Sequence, residues 1–190
     1  MKASNLTYLS LLTICIVLIA DQGLKLWIKS SFELSSVLLD CGILKLQFIE
    51  NPGMAFGWSF GKIWGKIALS VFRIVAVVFI AIYIKRLIKS GAHKFYLLCI
   101  SLVFAGALGN IIDSAFYGIL FDSGTTWSEQ YHGWIPYFGV SSMDFSGYAG
   151  FLQGCVVDMI HLEFFWPSWA PFDLGGTEVF PPVFNIADFS

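Results

Sequence analysis

The chain has 190 residues, 57% hydrophobic and only 13% charged, with a mean hydropathy of +0.74 and a formal net charge of −2. That balance lies outside the range of water-soluble domains, and the few basic residues form no nucleic-acid-binding surface. So much apolar surface needs lipid, and the fold class to expect is a mainly α, polytopic membrane protein.

The first apolar stretch, 6–28, reaches the roughly 20 residues of a spanning helix only by continuing through Asp21 and Lys25. A signal-peptide reading with lipidation at Cys15 is disfavoured by the bulky Ile14 before it and by apolar character that runs on to Ala20. Asp21 and Lys25, four residues apart, share a helix face and can pair. Ionisable groups at membrane depth are expensive, so the pair is either a structural ion pair or part of a site. From Ile43 to Glu50, Leu44, Leu46 and Phe48 alternate with Lys45 and Gln47, a half-buried strand. Asn51-Pro52-Gly53 then forces a turn. Strand and turn should rest over the helices, outside the hydrocarbon.

The second span, 67–84, is interrupted by Arg73, which is read as reaching a neighbouring carboxylate or the headgroups, without a catalytic role. Lys85, Arg86, Lys89 and Lys94 crowd the link to the third span, 95–112. That span ends with small residues at Gly106, Ala107 and Gly109, which let a helix approach closely, and with Asn110 and Asp113 on one face. After Lys94 there is no Lys or Arg but there are nine acidic residues. Basic residues stay cytoplasmic, so 29–66 and everything past the third span are expected outside and 85–94 inside, with Lys45, Lys62 and Lys66 as contrary signals. The stretch 118–182 is rich in Trp, Tyr, Gly, Ser and Pro and reads as long interfacial loops. Cys15, Cys41, Cys99 and Cys155 lack metal-ligand spacing; free buried thiols are preferred to a disulfide between Cys41 and Cys155.

Asp158 and Asp188 each lie in an apolar run, where a lone carboxylate is costly to ionise. Brought together, two such groups share a proton, which suits hydrolysis: one member accepts a proton from water while the other polarises the scissile carbonyl. His93 belongs to the basic link, and His132 and His161 have no histidine partner at zinc spacing. His161 is read as a satisfied surface histidine. No Gly-x-Ser-x-Gly or phosphate-binding loop occurs.

In order, Asp21-Gln22-Gly23-Leu24-Lys25, Asn51-Pro52-Gly53-Met54-Ala55-Phe56, Gly109-Asn110-Ile111-Ile112-Asp113, Val156-Val157-Asp158-Met159-Ile160 and Phe184-Asn185-Ile186-Ala187-Asp188 resemble the motifs of the lipoprotein signal peptidase (signal peptidase II) family over nearly the whole chain. The resemblance implies a four-helix aspartyl protease of the bacterial inner membrane with a small extracytoplasmic β-rich platform. It would remove signal peptides from prolipoproteins by cutting before the diacylglyceryl-modified cysteine, with its active site at the periplasmic face. By that resemblance Asp158 and Asp188 are the catalytic dyad. Asn51, Gly53, Asn110 and Asn185 bind substrate or orient the dyad, and Asp21, Lys25 and Asp113 stabilise the site. No metal or organic cofactor is implied; the implied partners are prolipoproteins, membrane lipids and the inhibitor globomycin.

Three departures stand out. Ser114 replaces the family's usual Arg, 114–155 is an insertion, and the fourth span should begin where the sequence stops at Ser190. Residues 1–190 are then one domain with three visible spans, Asp188 is expected to be poorly fixed, and the chain is expected to be inactive or weakly active unless the fourth helix is restored. The competing readings are an inactive membrane scaffold and a proton-coupled carrier subunit relaying charge through Asp21, Lys25 and Arg73, though no inverted repeat supports a carrier.

Overall fold

The computed structural model describes residues 3–53 and 62–190, so Met54, Ala55 and Phe56 of the second motif lie outside the described residues. Three helices are long and apolar enough to cross a membrane: α1 (Ala3–Ser31), α2 (Lys62–Ser90) and α3 (Lys94–Leu120). Each outruns the span expected from hydropathy, at the end toward the sheet because polar residues there are covered by protein and need no water. Lys29 on α1 and Lys66 on α2 are buried, and so is Ser114, where α3 continues instead of stopping at 112. There α3 widens into a π-helical turn, Asp113–Tyr117, the local irregularity often found at functional sites.

α3 is the central helix: α1 and α2 both pack on it and scarcely touch one another. Ser10 and Ser101 share a 2.7 Å hydrogen bond across the α1–α3 contact. Leu6, Ile84, Leu87 and Leu97 close the end that carries the basic link. Outward faces remain apolar, with Leu12, Ile16 and Ile19 on α1 and Phe72 and Phe79 on α2 exposed. Such faces would be a liability in water and are the lipid contact of a spanning helix.

At the opposite end lies an antiparallel sheet of β1 (Val37–Asp40), β2 (Leu44–Asn51), β5 (Val156–Leu162) and β6 (Val183–Phe184), in the order β1-β2-β5-β6. The predicted strand at 43–50 is β2, with a bulge between Leu46 and Ile49. Phe48 points into a cluster with Ile28, Tyr117, Phe121, Val157 and Met159, which welds the sheet to the ends of α1 and α3. A second hairpin, β3 (Thr126–Ser128) with β4 (Gly133–Ile135), rises from the segment 114–155. That segment folds back on α3: Ala149 N donates to Gly118 O, Tyr148 N to Phe121 O and Gly154 N to Ser114 O, at 2.9–3.0 Å.

All four cysteines are free. Only Cys155 is buried, which corrects the expectation of buried thiols: Cys15 faces outward from α1 and Cys41 sits in the exposed β1–β2 turn.

Candidate active site

The sheet order places the two aspartates. Asp158 sits on β5 opposite Ile49 of β2, and β6, the next strand over, leads directly into a 3-10 turn, Ile186–Phe189, that carries Asp188. Asn185 caps that turn with a capping box: its side chain accepts from Asp188 N while the Asp188 carboxylate accepts from Asn185 N, both at 3.1 Å. The expectation that Asp188 would be poorly fixed is therefore corrected, since Asn110 Nδ2 also donates to Asp188 Oδ1 at 2.8 Å.

Two asparagines join the carboxylates into one network. Asn185 Nδ2 donates to Asp158 Oδ1 at 2.6 Å and to Asn110 Oδ1 at 3.0 Å, using both of its hydrogens. Asn110 Oδ1 also accepts from Lys25 Nζ at 3.0 Å. Lys25, fully buried, lies between Asp21 at 2.9 Å and Asp113 at 2.8 Å. Asp21 Oδ1 in turn accepts from Ala187 N at 3.1 Å, and Asp113 Oδ2 from Val157 N at 3.3 Å. The buried charges of α1 and α3 thus hold the backbone next to each of the two aspartates.

Gln22, quoted within a motif but assigned no role from sequence, donates to Asp21, Asp113 and Gly109 O and accepts from Tyr117 OH. The small residues of α3 admit α1, as expected for a close helix approach, and also the 3-10 turn that carries Asp188. A Cβ at Gly106 would lie 2.0 Å from Ala187 O, and one at Gly109 would lie 2.8 Å from Asp21 Oδ2. Asn51 hydrogen-bonds the Asp158 carboxyl and accepts from Gly53 N at 2.9 Å. Gly53, at φ +102°, shapes the turn, and a Cβ there would meet Leu69. Ser114 donates to Asn110 O at 3.0 Å, steadying the helix that carries Asn110. His161, three positions past Asp158 on β5, contacts Glu178 at 2.6 Å; its ring is partly buried, not the surface group expected. Arg73, read from sequence as reaching a neighbouring carboxylate or the headgroups and given no catalytic role, lies within electrostatic reach of Asp188, Asp158 and Asp113.

The two carboxyls differ in environment. Asp158 is 3% exposed, whereas Asp188 is open to solvent. Burial, reinforced by the neighbouring Asp188 charge, pushes Asp158 up to about 7 against the opposing pull of Asn51, Asn185 and Lys25. A cleft of about 710 Å³ opens beside it, walled by Ile49, Asn51, Pro52, Phe180 and Pro182, a mostly apolar surface that suits an extended peptide with greasy side chains.

A helical bundle carrying two asparagine-linked carboxylates beside a cleft at one end defines a class, the membrane-embedded hydrolases of aspartyl type. Within it the chain belongs to the signal peptidase II family: the model described as Signal peptidase (SPase) II matches residues 13–190. A lipoprotein signal peptidase of Porphyromonas gingivalis is 41% identical over 181 residues, covering 92% of this chain and 74% of the relative. One from Amoebophilus asiaticus is 34% identical, covering 91% and 68%. A solved bacterial membrane enzyme, at 24% identity, superposes with a TM-score of 0.55 over 95% of this chain and 78% of its own, a likeness of fold.

Proposed function

We propose that the chain cleaves prolipoproteins before the diacylglyceryl-modified cysteine at the outer face of a bacterial cytoplasmic membrane, with Asp158 and Asp188 as the catalytic dyad. Family membership supports the reaction. The observation that carries the residue assignment is the shared grip of Asn185 and Asn110 on both carboxylates. Buried Asp158 holds the proton and donates it toward the scissile carbonyl, and the exposed Asp188 carboxylate accepts a proton from the attacking water. The protonated member then helps the amine leave.

The position of the site at the end of the spans supports an interfacial substrate, since a lipidated cysteine keeps its acyl chains in the bilayer and presents the bond at the membrane surface. The basic link between α2 and α3 lies at the far end, which supports an outward-facing sheet. Globomycin is expected to compete for the same cleft. The test is cleavage of a diacylglyceryl-modified prolipoprotein by the parent chain and by Asp158→Asn and Asp188→Asn. Each substitution is expected to lower the rate by about 10²–10⁴-fold, and undiminished cleavage in either removes that residue from the dyad. Loss of the Asp158 proton predicts that the rate falls as pH rises past about 7.

A further inference from the structure

A second cavity, of about 190 Å³, has room for several waters at about 30 Å³ each and shares no wall residue with the cleft beside Asp158. Its wall includes Lys66 from the start of α2, Thr125, Trp127 and Trp134 from the β3–β4 hairpin, Tyr148 and Gln153. Lys66 is 6% exposed, and its ammonium donates to Cys155 Sγ at 3.2 Å and sits 5.0 Å from the Trp134 ring centroid. No carboxylate among the described residues lies within ion-pair distance of it, and 54–61 contain no Asp or Glu.

The nearest buried acid, Glu50, is taken by Lys29 and by Thr125 N. Burial pushes the Cys155 thiol up to about 11, so at neutral pH it offers Lys66 an acceptor but no charge. Trp127, packed edge-on against Trp134 at 5.6 Å, has a buried indole N–H with no acceptor among the described residues. A buried cation without a counter-charge, an unsatisfied donor and a carboxamide around one void call for an anion with several acceptor oxygens.

We propose that this cavity binds a phosphate group, carried by an anionic phospholipid headgroup or present as free phosphate, held by Lys66 and Trp127. The site is independent of the peptidase reaction. The test is titration of the purified full chain in zwitterionic detergent with inorganic phosphate and with dihexanoylphosphatidylglycerol at matched ionic strength, read by calorimetry and by the thermal midpoint. Saturable binding of either is expected, weakened at least tenfold in Lys66→Gln and severalfold in Trp127→Phe. Binding of the lipid alone assigns the headgroup as the source, and binding of both assigns free phosphate as sufficient. The proposal is overturned if the parent binds neither probe or if Trp127→Phe, which keeps the aromatic packing, and Lys66→Gln both bind as the parent does.

Discussion

At the scale of single residues, the site works by placing charges where water cannot answer them. Lys25 neutralises two buried carboxylates at once, so Lys25→Met leaves Asp21 and Asp113 uncompensated and is expected to cost about 3–5 kcal/mol, measurable as a lowered thermal midpoint. Adding Asp113→Asn to that variant should recover part of the loss. Asp158 has the opposite character, because its folded form holds a proton that the unfolded chain, with an ordinary carboxyl near 3.8, has released. Stability therefore falls as pH rises from about 4 to about 7. At about 1.4 kcal/mol per pH unit the deficit above that window is on the order of 4 kcal/mol. Asp158→Asn removes the deficit, so its midpoint should exceed the parent's at about pH 8 and approach it at about pH 5; an equal gap at both would contradict the burial argument.

Among the secondary elements, the packing of the 3-10 turn onto α3 decides whether the dyad is assembled. Gly106→Ala puts a methyl into Ala187 O and must push the turn outward. The bundle should survive with a loss of roughly 1–3 kcal/mol, while cleavage drops by about 100-fold, the effect of a displacement near 1 Å. An unchanged rate would show that the turn can shift without disturbing Asp188. Two of the motifs were legible in the sequence because each is a short run of local geometry: the i, i+4 pair on α1 and the turn after β2. The Lys29–Glu50 pair was missed although its signal was present, since Asp21, Lys25 and Lys29 form a stripe at four-residue spacing. Treating the span as ended at 28 hid it. The fold of 114–155 was not legible, because it rests on contacts between residues far apart, such as the Glu33 to Val140 bridge and the three aromatic rings, Phe121, Tyr137 and Tyr148, around Lys29.

For the whole molecule, two of the three contrary lysines of the first outer segment, Lys45 and Lys66, lose their force; the side chain of Lys62 lies outside the described residues. Lys45 pairs with Glu163 and Asp40, and Lys66 is buried, so neither presents a free charge to the membrane surface. The charge rule reads the basic link between α2 and α3 and is indifferent to cations folded into protein. The layout predicts that a membrane-impermeant maleimide added to intact spheroplasts labels Cys41, and that Cys41→Ser abolishes the signal. Labelling that requires cell lysis would invert the topology. Cys155 should stay silent on either side because it is enclosed.

The two aspartates stand at opposite ends of a single excursion of chain, 163–182, which leaves β5 and returns as β6. That loop is cross-linked to itself by Trp166 N to Thr177 O and by Val179 N to Phe164 O, and its return limb walls the cleft with Phe180 and Pro182. The spacing of the carboxylates is set by strand pairing and by Asn185, so the loop can vary in length and composition without moving either. On the proposed dyad, grafting this loop alone between relatives is expected to transplant the choice of leader peptide while leaving the chemistry unchanged.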